Sequence, residues 1–189
     1  SSMFEGKDFA YLETGKASTF NQPIGSWNVR KVTNMSKMFR KSSSFNQDIS
    51  NWFSLSEEET EGNVLEVNVS QMFSDALVFN QDILAWDVSR WTNFIKMFEF
   101  TGAFDQDISS WNMIDNNGIR ASSTLTSNMF LNASGMSNKN KFKIWQGWYY
   151  DGDESVGSVG FSTQYKSWSN IKFDSSFFDS PEPEPEPEL

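Results

Sequence analysis

Carboxylates recur in this chain at spacings that raise the question of acid–base chemistry. The triplet Asn-Gln-Asp, in one copy Asp-Gln-Asp, ends at Asp48, Asp82 and Asp107. A pair such as Asp82 and Asp107 is the kind of group that a glycan-active enzyme uses. Catalytic carboxylates, however, need different environments that move their pKa values apart, whereas these occupy equivalent repeat positions. The sequence therefore predicts a non-enzymatic protein with no catalytic residues.

The same triplet allows two further interpretations. Rows of carboxylates and amides are suited to reading a ligand or binding cations. Asn and Asp side chains also satisfy backbone groups at tight turns, and stacked copies can form a ladder of hydrogen bonds. Pro23 replaces Asp in the first copy and Asp105 replaces Asn in the fourth. These departures favour the turn interpretation over a strict set of ligands.

A second group of candidates is aromatic. Trp145, Trp148, Tyr149 and Tyr150 lie close together in a segment outside the regular repeat. Such side chains stack on sugar rings or anchor a protein partner, so we predict them as ligand-binding residues. For residues 131–180 as a whole, the favoured interpretation is a cap over the last layer of the core, and the aromatic binding surface is the alternative to it.

Composition excludes several kinds of site. The chain has no Cys and no His, which removes thiol chemistry, imidazole catalysis and the usual zinc sites. Asp151, Asp153 and Glu154 look like the start of a calcium loop, but the rest of that motif is missing. We expect no metal and no cofactor.

The charge and hydropathy patterns narrow the choice of partners. The net charge is −10, and we identify no basic cluster that would contact phosphates, so nucleic acid is not expected. No apolar run approaches the roughly 18 residues of a transmembrane helix, so no transmembrane segment is expected in this chain.

Repetition is the dominant feature of the sequence. A Phe-Asn-Gln or Phe-Asp-Gln block, followed by Ile and Trp, starts at four positions separated by 25, 34 and 25 residues: Phe20, Phe45, Phe79 and Phe104. A Met-Phe pair recurs as well, and three of these pairs place their Phe six residues before a Phe-Asn-Gln or Phe-Asp-Gln block. The sequence therefore predicts a solenoid with a base period of about 25 residues and several insertions.

Each repeat suggests its own local structure. In Ile83, Trp86 and Val88 the apolar spacing resembles that of a leucine-rich-repeat strand, which predicts one short parallel β-strand per repeat. In Val32–Phe39 the apolar spacing is helical, which predicts a short helix or 3-10 turn. The repeated tryptophans fall within this apolar pattern, so we predict that they pack in the core: Trp27, Trp52, Trp86 and Trp111.

The repeat resembles that of the DUF285 family, also described as BspA-like leucine-rich-repeat surface proteins. The likeness runs over about residues 20–130. It implies a right-handed solenoid and a cell-surface or secreted protein, for which adhesion or protein binding is inferred. No catalytic residues come with the resemblance.

The chain divides into three parts on this basis. Residues 1–130 form the repeat solenoid, 131–180 a cap or accessory segment, and 181–189 an extended Pro-Glu spacer. A spacer implies a downstream domain or an anchor. We expect a recognition or adhesion module that binds a surface protein or glycan outside the cell, on a cell surface or a virion. The alternative is a purely structural spacer or component of an appendage or virion.

Overall fold

Neighbouring repeats lie parallel to each other. The computed structural model describes residues 18–53, 66–112 and 126–149. Strand β1 (Val67–Asn68) pairs in parallel with strand β2 (Trp91–Asn93), with an irregularity in register between the two pairs. Isolated parallel bridges join Ser18 to Ser42 and Asn34 to Asn68. Within the described ranges, each repeat thus contacts the next through its backbone.

The segments that carry Met-Phe are built from consecutive turns. Met38, Arg40 and Ser42 each donate their N–H to the carbonyl three residues earlier, at 3.0–3.2 Å. The intervening Lys37, Phe39 and Lys41 donate to the carbonyls of Ser70, Met72 and Ser74 in the next repeat, at 2.8–2.9 Å. Internal and inter-repeat bonds therefore alternate along this segment.

This alternation explains why the helical spacing of Val32–Phe39 does not produce a helix. In a helix, the N–H groups of Lys37, Phe39 and Lys41 would bond to carbonyls four residues earlier and could not bond to the next repeat. Lys37 and Lys41 instead have φ of 60°, in the left-handed region. Such residues are typical of the second central position of a type II turn.

The Ile-x-x-Trp segments also differ from the expected strand. The N–H of Trp86 bonds to the carbonyl of Ile83 at 3.2 Å, and Trp91 bonds to Val88 at 3.0 Å, so these residues form turns. The strand follows as β2, because the backbone becomes extended only after the second turn. The apolar alternation reflects side chains that point inward from turns.

Stacked aromatic rings make up much of the core. Successive rings in one column are nearly parallel, with centroids 5.5–5.6 Å apart: Phe39, Phe73, Phe98 and Phe130. A second column has centroids 6.0–6.3 Å apart: Phe20, Phe45, Phe79 and Phe104. All of these rings except Phe20 are buried, so each repeat covers the apolar face of its neighbour.

A single helix is found among the described residues. Helix α1 (Asn138–Tyr149) follows the last Met-Phe pair. Its N-terminus is capped by Ser137, whose Oγ accepts the N–H of Asn140 at 3.2 Å. Over the described ranges, no helix has both the length and the hydropathy that a membrane crossing requires.

Candidate recognition surface

The repeated Asn residues form a continuous column of hydrogen bonds. The Oδ1 atom of Asn80 accepts the N–H of Asp105 at 2.8 Å and the Nε2 of Gln106 at 2.7 Å. One repeat earlier, the Oδ1 of Asn46 accepts the N–H of Asn80 and the Nε2 of Gln81, at 2.9 Å each. The prediction of a ladder of stacked side chains is confirmed.

Asp105 ends this column at the start of helix α1. Its Oδ1 accepts the N–H and Oγ–H of Ser137, at 2.8 and 2.9 Å. The Nδ2 of Asn140 donates to the same oxygen at 3.0 Å. A carboxylate suits this position because the N-terminus of a helix carries partial positive charge. The replacement of Asn by Asp in the fourth copy therefore has a structural reason.

The third residue of each triplet stabilises a turn. Asp48, Asp82 and Asp107 each accept the N–H of the residue two positions later, at 2.9–3.1 Å. The turn interpretation is thereby confirmed. In the described ranges, no group of three or more acidic side chains is placed to hold a metal ion.

Asp107 has an additional partner in helix α1. The Nζ of Lys143 lies 2.7 Å from its Oδ2. Burial raises the pKa of Asp107, but hydrogen bonds from Lys143 and Ser109 outweigh this effect and lower it. At Asp48 the pKa is lowered chiefly by the hydrogen bond from the backbone of Ser50.

The repeated tryptophans lie in the core, as predicted. Trp52, Trp86 and Trp111 are each 3% exposed. Each donates its indole Nε1–H to the carbonyl of the Ile in the preceding repeat, at 3.1 Å. Trp27, in the first copy, is partly buried against the same core.

Trp148 continues this column, which corrects its prediction as a ligand-binding residue. Its indole donates to the carbonyl of Ile108 at 3.0 Å and stacks on Trp111 with centroids 6.3 Å apart. The side chain is only 5% exposed. A ligand has no access to a ring face that is already packed in the core.

The other predicted aromatic residues have different locations. Trp145 is partly buried against the core, and its ring lies 5.6 Å from that of Phe142. Tyr149 is the last residue of helix α1, and its side chain lies outside the described part of the structure. Tyr150 and the acidic run Asp151–Glu154 lie outside the described residues. Of the four aromatic candidates, the structure thus places only Trp145 and Trp148, and the prediction for Tyr149 and Tyr150 stays a prediction.

Two rows of side chains that the sequence analysis missed share an unusual backbone. Their residues lie two positions before and two positions after the Phe of each Met-Phe pair in the described ranges, and all have φ between 57° and 61°. The first row consists of Lys37, Gln71, Lys96 and Asn128. The second row consists of Lys41, Asp75, Phe100 and Asn132. We call these the outer rows.

Hydrogen bonds fix the backbone of the outer rows from one repeat to the next. Asp75 donates its N–H to the carbonyl of Glu99, and Phe100 donates to that of Leu131, both at 2.8 Å. Lys96 donates to Ser127 at 3.0 Å. The rows are therefore held at regular intervals by a rigid scaffold. Their side chains include cations, a carboxylate, amides and an aromatic ring, which together can bind hydroxyl groups, charges and apolar surfaces.

Parallel repeats with columns of stacked side chains define this molecule as a tandem-repeat protein. The chain belongs to the family described as "Mycoplasma protein of unknown function, DUF285", whose model matches residues 7–62 and again residues 60–147. No curated protein and no solved structure matches the chain. The second match ends at residue 147, within helix α1.

Proposed function

We propose that this protein is a non-catalytic recognition module that binds a protein or a glycan on a surface outside the cell. The observation that carries the proposal is the pair of outer rows. Eight positions in the described ranges share one backbone conformation, with φ between 57° and 61°. 

These eight positions nevertheless carry five different residue types: Lys, Gln, Asn, Asp and Phe. Variation on a fixed backbone is what a recognition surface requires.

The contrast with the inward positions supports this proposal. The Met-Phe and Asn-Gln-Asp positions keep nearly the same residue types, because their side chains form the aromatic columns and the hydrogen-bond column. The outer rows keep only the backbone. Their side chains are not part of these columns, so contacts between them and a partner would leave the core packing unchanged.

We further propose that the fold is a right-handed, leucine-rich-repeat-like solenoid, as in the BspA-like surface proteins that the repeat resembles. The parallel bonds between repeats and the stacked rings support a solenoid. The columns extend through Trp148 in helix α1, which supports residues 131–180 as a terminal cap.

The non-enzymatic part of the proposal is supported by the roles of the aspartates. Asp82 and Asp107 each stabilise the turn in which they lie, in equivalent positions. A location on a cell or virion surface is supported by the family resemblance and by the Pro-Glu segment at 181–188, which suits an extended spacer.

A purely structural role is the second candidate. It is favoured by the Asn column, in which the Oδ1 groups are used for bonds between repeats. These hydrogen bonds hold neighbouring repeats together whether or not the protein binds a partner.

A binding screen separates the two candidates. The whole chain is immobilised and tested against arrays of glycans and of cell-surface proteins, next to a variant with Gln71→Ala, Asp75→Ala and Phe100→Ala. We expect binding that the triple variant loses and that Leu84→Ala keeps, since Leu84 is as exposed as Phe100 but lies outside the outer rows. The absence of binding to both arrays would favour the structural role.

A further inference from the structure

We infer that Phe100, between Asp75 and Asn132, is a stacking site for a neutral hexose unit of a glycan. The inference rests on the proposed recognition function and names the chemical class of its ligand. The inferred site lies in the second outer row, where the ring of Phe100 has a polar residue at the equivalent position of the repeat on each side.

Backbone geometry places these three residues side by side. The N–H of Asp75 donates to the carbonyl of Glu99, the residue before Phe100. The N–H of Phe100 donates in the same way to the carbonyl of Leu131, the residue before Asn132. Their φ values are 61°, 58° and 57°, so the three Cβ atoms leave equivalent backbones in similar directions. The interval between repeats is indicated by the adjacent Phe column, with centroids 5.6 Å apart.

Phe100 is an unusual residue for its position. A bulky side chain in the left-handed region is disfavoured, whereas Asn and Asp adopt this region more readily. Its ring is nevertheless 44% exposed, while the neighbouring Phe98 is fully buried. Core burial therefore does not account for a bulky aromatic residue at a position where the other repeats have Lys, Asp and Asn, which leaves contact with a ligand as a role for its ring.

The surroundings of the ring suit a sugar. A hexose can place the apolar C–H face of its sugar ring on an aromatic ring. Its equatorial hydroxyl groups then point outward, roughly in the plane of the sugar ring, toward neighbouring polar side chains. A carboxylate accepts hydrogen bonds from hydroxyls, and an amide both donates and accepts. The Oγ of Ser74 donates to Asp75 Oδ2 at 3.2 Å, which orients the carboxylate.

The experiment compares residues of different shape at one position. Binding of immobilised protein to neutral gluco- and galacto-configured oligosaccharides is measured for Phe100→Ala, Phe100→Leu and Phe100→Trp. Loss of the ring in the Ala and Leu variants is expected to weaken binding about tenfold, as for a contact of about 1.4 kcal/mol. The Trp variant keeps a stacking face and should retain binding.

Two further variants complete the experiment: Asp75→Asn tests the neighbouring carboxylate, and Leu84→Ala is the surface control. Asp75→Asn removes a charged acceptor and should weaken binding about threefold to tenfold. Leu84→Ala removes a side chain with the same 44% exposure elsewhere on the surface and should bind like the unmodified protein. Urea unfolding of every variant checks that the fold is retained.

The outcomes distinguish this inference from the proposed function. Retained binding in Phe100→Leu would overturn sugar stacking, because an apolar protein contact does not need a ring. Binding to surface proteins alone, lost in the triple variant, would also overturn it while leaving the recognition function intact. No binding to either array would overturn both.

Discussion

The indole N–H of Trp148 donates to the backbone carbonyl of Ile108 at 3.0 Å, across the junction between the last regular repeat and helix α1. Trp111 makes the equivalent bond to Ile83 at 3.1 Å. A tryptophan in a helix and a tryptophan in a turn therefore have the same structural role.

Because Trp148 and Trp111 have equivalent contacts, replacing either one should lower the free energy of unfolding by a similar amount. Trp148→Phe and Trp111→Phe each remove a buried donor and leave a carbonyl unsatisfied, which should lower the free energy of unfolding by about 1–3 kcal/mol. Urea unfolding measures both, with Leu84→Ala as the surface control. A Trp148→Phe variant of unchanged stability would contradict the position of this residue in the core.

The Asn column predicts a difference between two substitutions at one residue. Asn80→Ala removes the acceptor for Asp105 N–H and Gln106 Nε2, and should cost about 1–3 kcal/mol. Asn80→Asp keeps an acceptor oxygen and should cost less. Thermal or urea unfolding of both variants tests this order, and equal losses would show that the acceptor oxygen is not what matters.

Replacement of Gly147 by Ala is expected to lower the stability of the protein, whereas the same change within most helices raises it. Replacement of Gly by Ala within a helix usually stabilises a protein by about 1 kcal/mol. At Gly147, however, an added Cβ would clash with the backbone carbonyl of Ser109 in the preceding repeat. Gly147→Ala should therefore lower stability by about 1–3 kcal/mol.

The matched control for this prediction is Gln146→Ala. Gln146 is exposed in the same helix, and its substitution should change stability by less than about 0.5 kcal/mol. Stabilisation by Gly147→Ala would mean that helix α1 does not pack closely on Ser109.

The ion pair between Asp107 and Lys143 predicts an effect of pH. Because the pKa of Asp107 is lowered in the folded protein, its contribution to stability is present above 3.8, the ordinary pKa of an Asp side chain, and is lost as the pH falls through the lower folded pKa. Both side chains are about one-third exposed, so the effect should be at most about 1 kcal/mol and weaker in salt.

Lys143→Gln tests this contribution. The variant should be less stable than the unmodified protein at neutral pH, and the difference should shrink as the pH falls below 3.8. Urea unfolding at several pH values measures it. A difference that stays constant across this range would rule out the charge of Asp107 as its cause.

The sequence alone predicted the repeat and much of the core. The spacing of Phe45, Phe79 and Phe104 identified residues that stack, because a side chain that contacts its own copy in the next repeat must recur with the period of the chain. The turn role of Asp48 followed in the same way, from the chemistry of a short carboxylate beside backbone N–H groups.

Only the tertiary structure decided which of the outlying residues belong to the core and which to the surface. Ile144 and Trp148 are four residues apart rather than three, so the pattern did not show that a helix continues the tryptophan column. The outer rows were equally hidden, because Lys41 and Phe100 are not residues that signal a left-handed backbone. Their conformation is imposed by hydrogen bonds to the next repeat, which depend on how the chain packs and not on local residue preference.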